Sequence, residues 1–273
     1  MTNQYDAIVI GAGHNGMICS ALLAKTGKKV LVLEANDQVG GAAITRKFAD
    51  DFSVSACAHL LFQLQPDVIK DLGIEPDYSK KSMETIVLTE DGNHIRYQGK
   101  DISGVNEEDK KNYIEFHNRM VRFSDLLKTY LNKRPPRLGT KNTKDLMTLA
   151  KLGFDIRRMG KTEMREFLRL IGMNIYDELD ERFVNPYLKG ALSTDAVLGT
   201  HLGPRSPNTI LTYLYRLAGL HGDVSSIQGG MGGLMNQIRS IAEGSGVEIK
   251  TNSKVNEISV SNGAVTGVQT ESG

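Results

Sequence analysis

The sequence predicts an α/β chain in which a layered, parallel-sheet unit, assembled from both ends of the polypeptide, is interrupted by a largely helical α+β segment. Three observations carry this. Residues 6–10 (DAIVI) and 29–34 (KVLVLE) are short, unbroken apolar runs of the kind buried in parallel sheets, with a helix-forming stretch between them. From residue 107 to residue 220 apolar side chains recur mainly at helical spacing. Strand patterns return after the cluster Gly229-Gly230-Met231-Gly232-Gly233.

Taken in order, Gly11 ends the first run, and residues 15–26 form a helix with small residues facing inward. Gly27 then stands where a helix C-terminus favours a left-handed residue. Residues 85–88 and 94–97, joined across Asp91-Gly92-Asn93, predict a hairpin of a second sheet. A helix over 107–131 sets Tyr113, Phe116, Met120, Phe123 and Leu127 on one face, and Pro135-Pro136 block its continuation. Between 143 and 183 the stripe Met164, Phe167, Leu168, Ile171, Ile175 and Leu179 is expected in a core. Residues 199–207 form a Gly/Pro loop before a helix over 209–220. A helix over 234–243 and strands over 247–249, 255–260 and 264–270 close the pattern, with Ser261-Asn262-Gly263 as a hairpin turn. The domain expectation is therefore 1–75 and 223–273 for the parallel-sheet unit, with 76–222 inserted. The run stops at Gly273 just as a turn begins, the pattern expected of a chain cut in mid-domain.

Composition narrows the function classes. At 40 % apolar and 24 % charged residues the chain has the make-up of a folded protein. A formal net charge of +1 supplies no global field for nucleic acid, so no nucleic-acid partner is expected. The charge is uneven, however. The stretch beginning at Lys128 and ending at Arg169 holds twelve Lys or Arg against four Asp or Glu, which leaves open a solvated helical face or contact with a membrane surface or an acidic partner. Cys19 and Cys57 are too far apart for a CxxC pair and are expected to be reduced core thiols, which excludes dithiol-flavin chemistry. No metal-ligand spacing is present, and His59, His201 and His221 are isolated. With no basic N-terminal leader and no run approaching ~20 apolar residues, the expectation is a cytoplasmic protein, or alternatively one of the mitochondrial matrix.

The chemistry-bearing motif is Gly11-Ala12-Gly13-His14-Asn15-Gly16. In a chain with 28 glycines the bare GxGxxG pattern does not decide anything, but its context does. It follows a strand and opens a helix, so its backbone can approach a pyrophosphate while the free helical N–H groups face the negative charge. Glu34 ends the second strand, where a carboxylate can accept both ribose hydroxyls of an adenosine and repels a 2′-phosphate. Beyond Ala35, the pair Gly40-Gly41, followed by Ala42, brings a second backbone stretch to the diphosphate, which favours FAD over NAD. Together these predict a Rossmann-like FAD/NAD(P)-binding domain (three-layer ββα). His14 is read as a loop residue beside the diphosphate. Replacing Glu34 by Ala is expected to weaken FAD retention with little effect on folding.

At these residues the chain resembles the phytoene-desaturase-like FAD-dependent oxidoreductases, and within them the pyridine nucleotide-disulfide oxidoreductase domain-containing protein 2 branch. The resemblance rests on DAIVIGAGHNG, VLVLEANDQVGGAA, GTHLGPRSP, GGMGGL and GVEIKTNSKVNEI, and it extends over nearly the whole chain. It implies that the first segment binds the FAD diphosphate, that Glu34 holds the ribose and that Val255 reaches the adenine through its backbone. Two departures accompany it. Related amine oxidases carry Arg directly after the glycine pair, where this chain has Ala42. Family members also run to about twice this length and finish with a second glycine-rich flavin segment absent here.

The resemblance implies a desaturase- or saturase-type flavoenzyme moving hydride between flavin and a small apolar substrate of carotenoid, retinoid or lipid type. The helical middle would form the substrate wall. Flavin carries the electron chemistry, so no catalytic acid or base is assigned. The alternatives are a flavin amine oxidase and a non-catalytic protein that keeps the nucleotide fold and acts on a protein partner. Oligomeric state is not readable from the sequence.

Overall fold

The computed structural model describes residues 4–61, 63–137, 139, 141–220 and 224–271. Along the chain run β1 (Ala7–Ile10), α1 (His14–Lys25), β2 (Val30–Leu33), a 3-10 turn (Gly41–Ala43), β3 (Thr45–Ala49), β4 (Phe52–Ser55), α2 (Pro66–Leu72), β5 (Tyr78–Lys80), β6 (Thr85–Val87), β7 (Ile95–Gln98) and β8 (Asp101–Ser103). There follow α3 (Glu107–Leu131), α4 (Thr143–Arg158), α5 (Lys161–Leu170), α6 (Ile175–Asp180), α7 (Pro186–Val197), α8 (Thr209–Leu220), β9 (Ser226–Ile227), α9 (Met231–Gly244), β10 (Glu248–Lys250), β11 (Val255–Ser261) and β12 (Ala264–Thr270). Two compact units result, one from Met1–Ser82 with Val224–Gly273 and the other from Met83–Asp223. The boundary expected at 75/76 falls at 82/83, because β5 pairs with β9 and stays with the first unit.

The first unit is an α/β layer structure around a parallel sheet of order β1-β2-β10. β2 is buried at all four positions, as an apolar strand without alternation requires when both faces are covered. α1 presents Met17, Ser20, Ala21 and Ala24 to the core. α9 adds Met231, Leu234, Met235, Ile238 and Ala242 to the same cluster. Three of the four inward residues of α1, Ser20, Ala21 and Ala24, are small, while Met17 is wholly buried and contributes on the order of 1.5–3 kcal/mol. Cys19 lies between the inward positions of α1, and Cys57 follows β4. Both are exposed, which corrects the expectation of core thiols.

The second unit packs a three-stranded antiparallel sheet, β6-β7-β8, with helices α3 to α8. Asn106 caps α3 by accepting the amide of Asp109, and Glu107, Glu108 and Asp109 place negative charge at the helix start. Asp109 is fully buried because its two oxygens accept the amides of Val184 (2.9 Å) and Asn185 (3.0 Å), fastening the entry of α7 to α3. Phe116, Met120 and Phe123 are wholly buried, and Phe123 meets Phe167 edge-on at 5.5 Å. The segment 143–183 is divided among three helices, and the expected stripe falls on α5, its C-cap Ile171 and α6. Gly160, at φ +87°, separates α4 from α5, and the turn at Gly172 separates α5 from α6. Phe167, Ile175 and Leu179 are in the core, but Leu168 is 49 % exposed, because the buried face of α5 centres on Phe167 and Leu170 and Leu168 stands roughly 100° round the helix from Phe167, on the side away from Leu170. Helices α2 and α7 were not expected from the spacing.

Phe116→Ala removes a fully buried ring that also touches Phe183 and Tyr213, and is expected to destabilise the chain by about 3–5 kcal/mol. The shift in chemical-denaturation midpoint measures it, and an unchanged midpoint would show that this cluster is not a core.

Candidate functional site

The glycine motif lies on the turn between β1 and α1. Gly11 donates its amide to the Leu33 carbonyl at 2.7 Å, so the turn leaves the sheet beside the end of β2. Gly13 is the N-cap of α1 in extended conformation, with no side-chain cap and no acidic residue in the first turn. The opening amides of α1 therefore carry the positive end of the helix dipole without a competing anion from the protein. A methyl group on Gly16 would overlap the Gly11 carbonyl oxygen, so only glycine lets the helix start this close to the strand exit.

Gly40 and Gly41 come to the same place. Gly40 donates to the Ala12 carbonyl at 2.8 Å and bridges Gly13 in parallel register. A Cβ on Gly41 would sit 3.1 Å from the Gly13 Cα, and Gly41 holds φ +57°. Two backbone segments thus meet with no side chain between them. Ala12 and Gly40 are buried, whereas His14, Asn15, Ala35, Gly41 and Ala42 are exposed. His14 is a solvent-facing helix residue, and no cluster of metal-ligating residues exists among those described.

Glu34 is 6 % exposed, and its carboxylate fastens the loop. Oε2 accepts the Ala12 amide at 2.7 Å, while Oε1 accepts the Asn36 amide at 2.9 Å and the Asn36 side-chain amide at 2.8 Å. Burial pushes this carboxyl up, but the amides of Asn36 and Ala12 outweigh it and hold the group below its ordinary value of 4.5. The expectation that Glu34 could be lost with little effect on folding is therefore corrected: its removal leaves the buried Ala12 amide without its acceptor.

Val255 begins β11, two residues after Ser253, whose amide donates to the Glu34 carbonyl at 2.8 Å. Asn252 likewise donates to the Asn36 carbonyl at 2.9 Å. The structure therefore brings together Gly11, Ala12, Gly13, His14, Asn15 and Gly16 with Glu34, Ala35, Gly40, Gly41 and Ala42. The chain entering Val255 runs beside the Glu34 turn.

Three contributors escaped the sequence reading: Asn36, Thr45 and Ser55. The Met231 amide donates to Ser55 Oγ and the Gly232 amide to Thr45 Oγ1, each at 3.0 Å, so hydroxyls from the β3–β4 hairpin cap α9 from a distance in sequence. The signal for them was the crowding of glycines, since a Cβ on Gly232 would lie 2.8 Å from the Thr45 nitrogen. In the second unit, Tyr97, Tyr113 and Tyr213 have raised pKa values, Tyr97 to about 12, chiefly through burial and further through the Asp195 carboxylate. They remain protonated at neutral pH and cannot serve as bases. His59 and His201 join no catalytic grouping, and His221 lies outside the described residues.

Residues 16–273 match the family model described as flavin containing amine oxidoreductase. The chain belongs to this family. Among curated relatives it is 30 % identical to pyridine nucleotide-disulfide oxidoreductase domain-containing protein 2 of Rattus norvegicus, over 99 % of this chain and 51 % of that protein. It is 27 % identical to the 1-hydroxycarotenoid 3,4-desaturase of a Flavobacterium species, over 98 % of this chain and 54 % of that one. The chain spans about half the length of these relatives. Among solved structures, cyclohexylamine oxidase from Brevibacterium oxydans superposes with a TM-score of 0.57 at 18 % identity, over 99 % of this chain and 55 % of that one, a likeness of fold. The α/β flavin-binding fold is thereby shown, and the cofactor of the family is FAD.

The residues at the glycine turn fit that cofactor, because Gly13 and Gly41 meet backbone to backbone with no side chain between them, beside an α1 start that has no side-chain cap and no acidic residue to oppose a diphosphate. Glu34→Gln keeps the size of the side chain but turns a donor toward one of the amides it now accepts. At neutral pH this variant is expected to be less stable by about 1–3 kcal/mol. A lowered folded-state value means that the Glu34 contribution is present above about 4.5 and is lost as pH falls through the lower folded value. The stability gap between the two proteins should therefore shrink in acid. Denaturation curves from pH 7 to pH 3 measure it, and a gap that widens in acid would contradict the assignment.

Proposed function

We propose that this chain holds the adenosine-diphosphate end of FAD in an oxidoreductase of desaturase or saturase type, which moves hydride between flavin and an apolar substrate. The observation that carries the nucleotide part is the backbone-to-backbone contact of Gly13 with Gly40 and Gly41 at the uncapped start of α1. In this reading the α1 amides and the two glycine segments hold the diphosphate, Glu34 shares its carboxylate with the ribose, and the backbone at Val255 meets the adenine. FAD, when bound, supplies the two-electron chemistry. The protein binds it, orients it and keeps water away.

The apolar substrate is supported by two facts. One relative is named a carotenoid desaturase, and Ala42 stands where related amine oxidases carry Arg. The family description favours a second reading, a flavin amine oxidase. Reduction of bound flavin by a polyene donor without peroxide release supports the first reading, whereas amine turnover with peroxide release supports the second.

Asn15→Asp tests the diphosphate assignment independently of folding. Asn15 is exposed in the first turn of α1. A carboxylate there complements the helix dipole, so stability without FAD is expected to stay level or rise by roughly 0.3–1 kcal/mol. The same charge opposes a diphosphate, so FAD affinity, followed by visible absorption and fluorescence quenching, is expected to fall about tenfold. Unchanged FAD affinity would place the diphosphate elsewhere.

A further inference from the structure

Helix α4 has two apolar faces. Asp145, Leu149, Leu152 and Ile156, spaced by four, three and four, are buried or half-buried, and Ile156 packs on the second unit's core. This is the face expected to be covered. The opposite face carries Met147, Ala150, Phe154 and Arg158 at the same kind of spacing. Met147 is 70 % exposed and Phe154 61 %, with Leu146 beside them at 48 %. A solvated helix would place polar residues there.

The charges around this face are equally one-sided. Lys144, Lys151 and Arg158 flank one side of the Met147–Phe154 stripe, and Arg157 flanks the other. α5 continues the pattern with Lys161, Arg165 and exposed Leu168, which share a face at spacings of four and three. All four acids of the region are engaged elsewhere. Asp145 pairs with Arg134, and Asp155 accepts the Tyr130 hydroxyl. Glu163 pairs with Arg122, and Glu166 with Arg119 and Arg169. Among the described residues, Lys144, Lys151, Arg157, Arg158, Lys161 and Arg165 have no ion-pair partner.

We propose that the outer face of α4, extended by the basic face of α5, docks on an anionic lipid surface. α4 would lie in the plane of the interface, with Met147 and Phe154 entering the acyl boundary and the flanking cations reaching the headgroups. Charge complementarity selects the partner: a ring of free cations around exposed apolar side chains matches a negatively charged bilayer, whereas an acidic protein surface needs only the cations. No helix among the described residues is long and apolar enough to cross a membrane, so the contact is peripheral. This inference does not depend on the redox reading.

The chain contains no tryptophan, so Phe154→Trp provides a single reporter. With vesicles of phosphatidylcholine containing about one-third phosphatidylserine, the F154W protein is expected to co-float and its emission to shift to the blue, both weakening as salt rises. Lys151→Gln with Arg158→Gln should lower vesicle affinity by about 25-fold, at roughly fivefold per cation. Met147→Ser with Phe154→Ser should lower it comparably, while both double variants keep the wild-type circular dichroism and thermal midpoint. Failure to co-float, equal binding to pure phosphatidylcholine, or co-flotation without an emission shift would overturn the proposal. Salt-sensitive binding to polyglutamate without vesicle binding would also overturn it, in favour of an acidic protein partner.

Discussion

The first unit depends on one close approach, the contact of the Gly13 backbone with that of Gly40 and Gly41. A side chain at this point would push apart the two turns that leave the ends of β1 and β2. Glu34 makes the approach stable by accepting an amide from one turn and two N–H groups from the residue opening the other. A carboxylate offers about four acceptor sites, and three are already taken within the protein. Whatever ribose contact Glu34 makes is therefore shared with the loop, and the residue that reads the ligand also shapes the surface on which it is read.

Much of this was legible because the relevant signals are local. The apolar spacing over 107–131 and 209–220 coincides with α3 and α8, and the two glycine groups with Glu34 meet as strand–turn–helix logic requires. The unread parts depend on distant partners. Thr45 and Ser55 look like ordinary strand residues until the start of α9 is placed against them. Cys19 has a composition expected inside, but it lies on the wrong side of α1. Leu168 satisfies the periodic pattern but stands at the edge of α5's apolar arc, beyond the Phe167–Leu170 face that the fold buries. Helix α7 escaped because its buried residues, Leu188, Leu192 and Ala196, form only a narrow stripe.

The second unit shows why composition alone could not interpret its basic excess. Counting charges between residues 128 and 169 identifies an imbalance but not its distribution. The structure shows each acid already occupied by a partner that fixes a helix in place, which concentrates the remaining cations around Met147 and Phe154. A bland solvated face would have interleaved its charges. Here the acids serve cohesion and leave the cations outward.

The capping of α9 sets an order of events for chain folding. The Gly232 amide and its acceptor Thr45 are 187 positions apart, and β10 pairs with β2 across a similar separation. Contacts of such span form slowly because a long loop must close before they stabilise anything. During synthesis β1, α1 and β2 emerge without their third strand and without the helix that completes their core. The inserted unit, whose core residues all lie between β5 and β9 in sequence, can collapse in the meantime and shorten the loop. The glycine turns are thus made well before the helix and strand that complete their core, and they become rigid only once these have arrived.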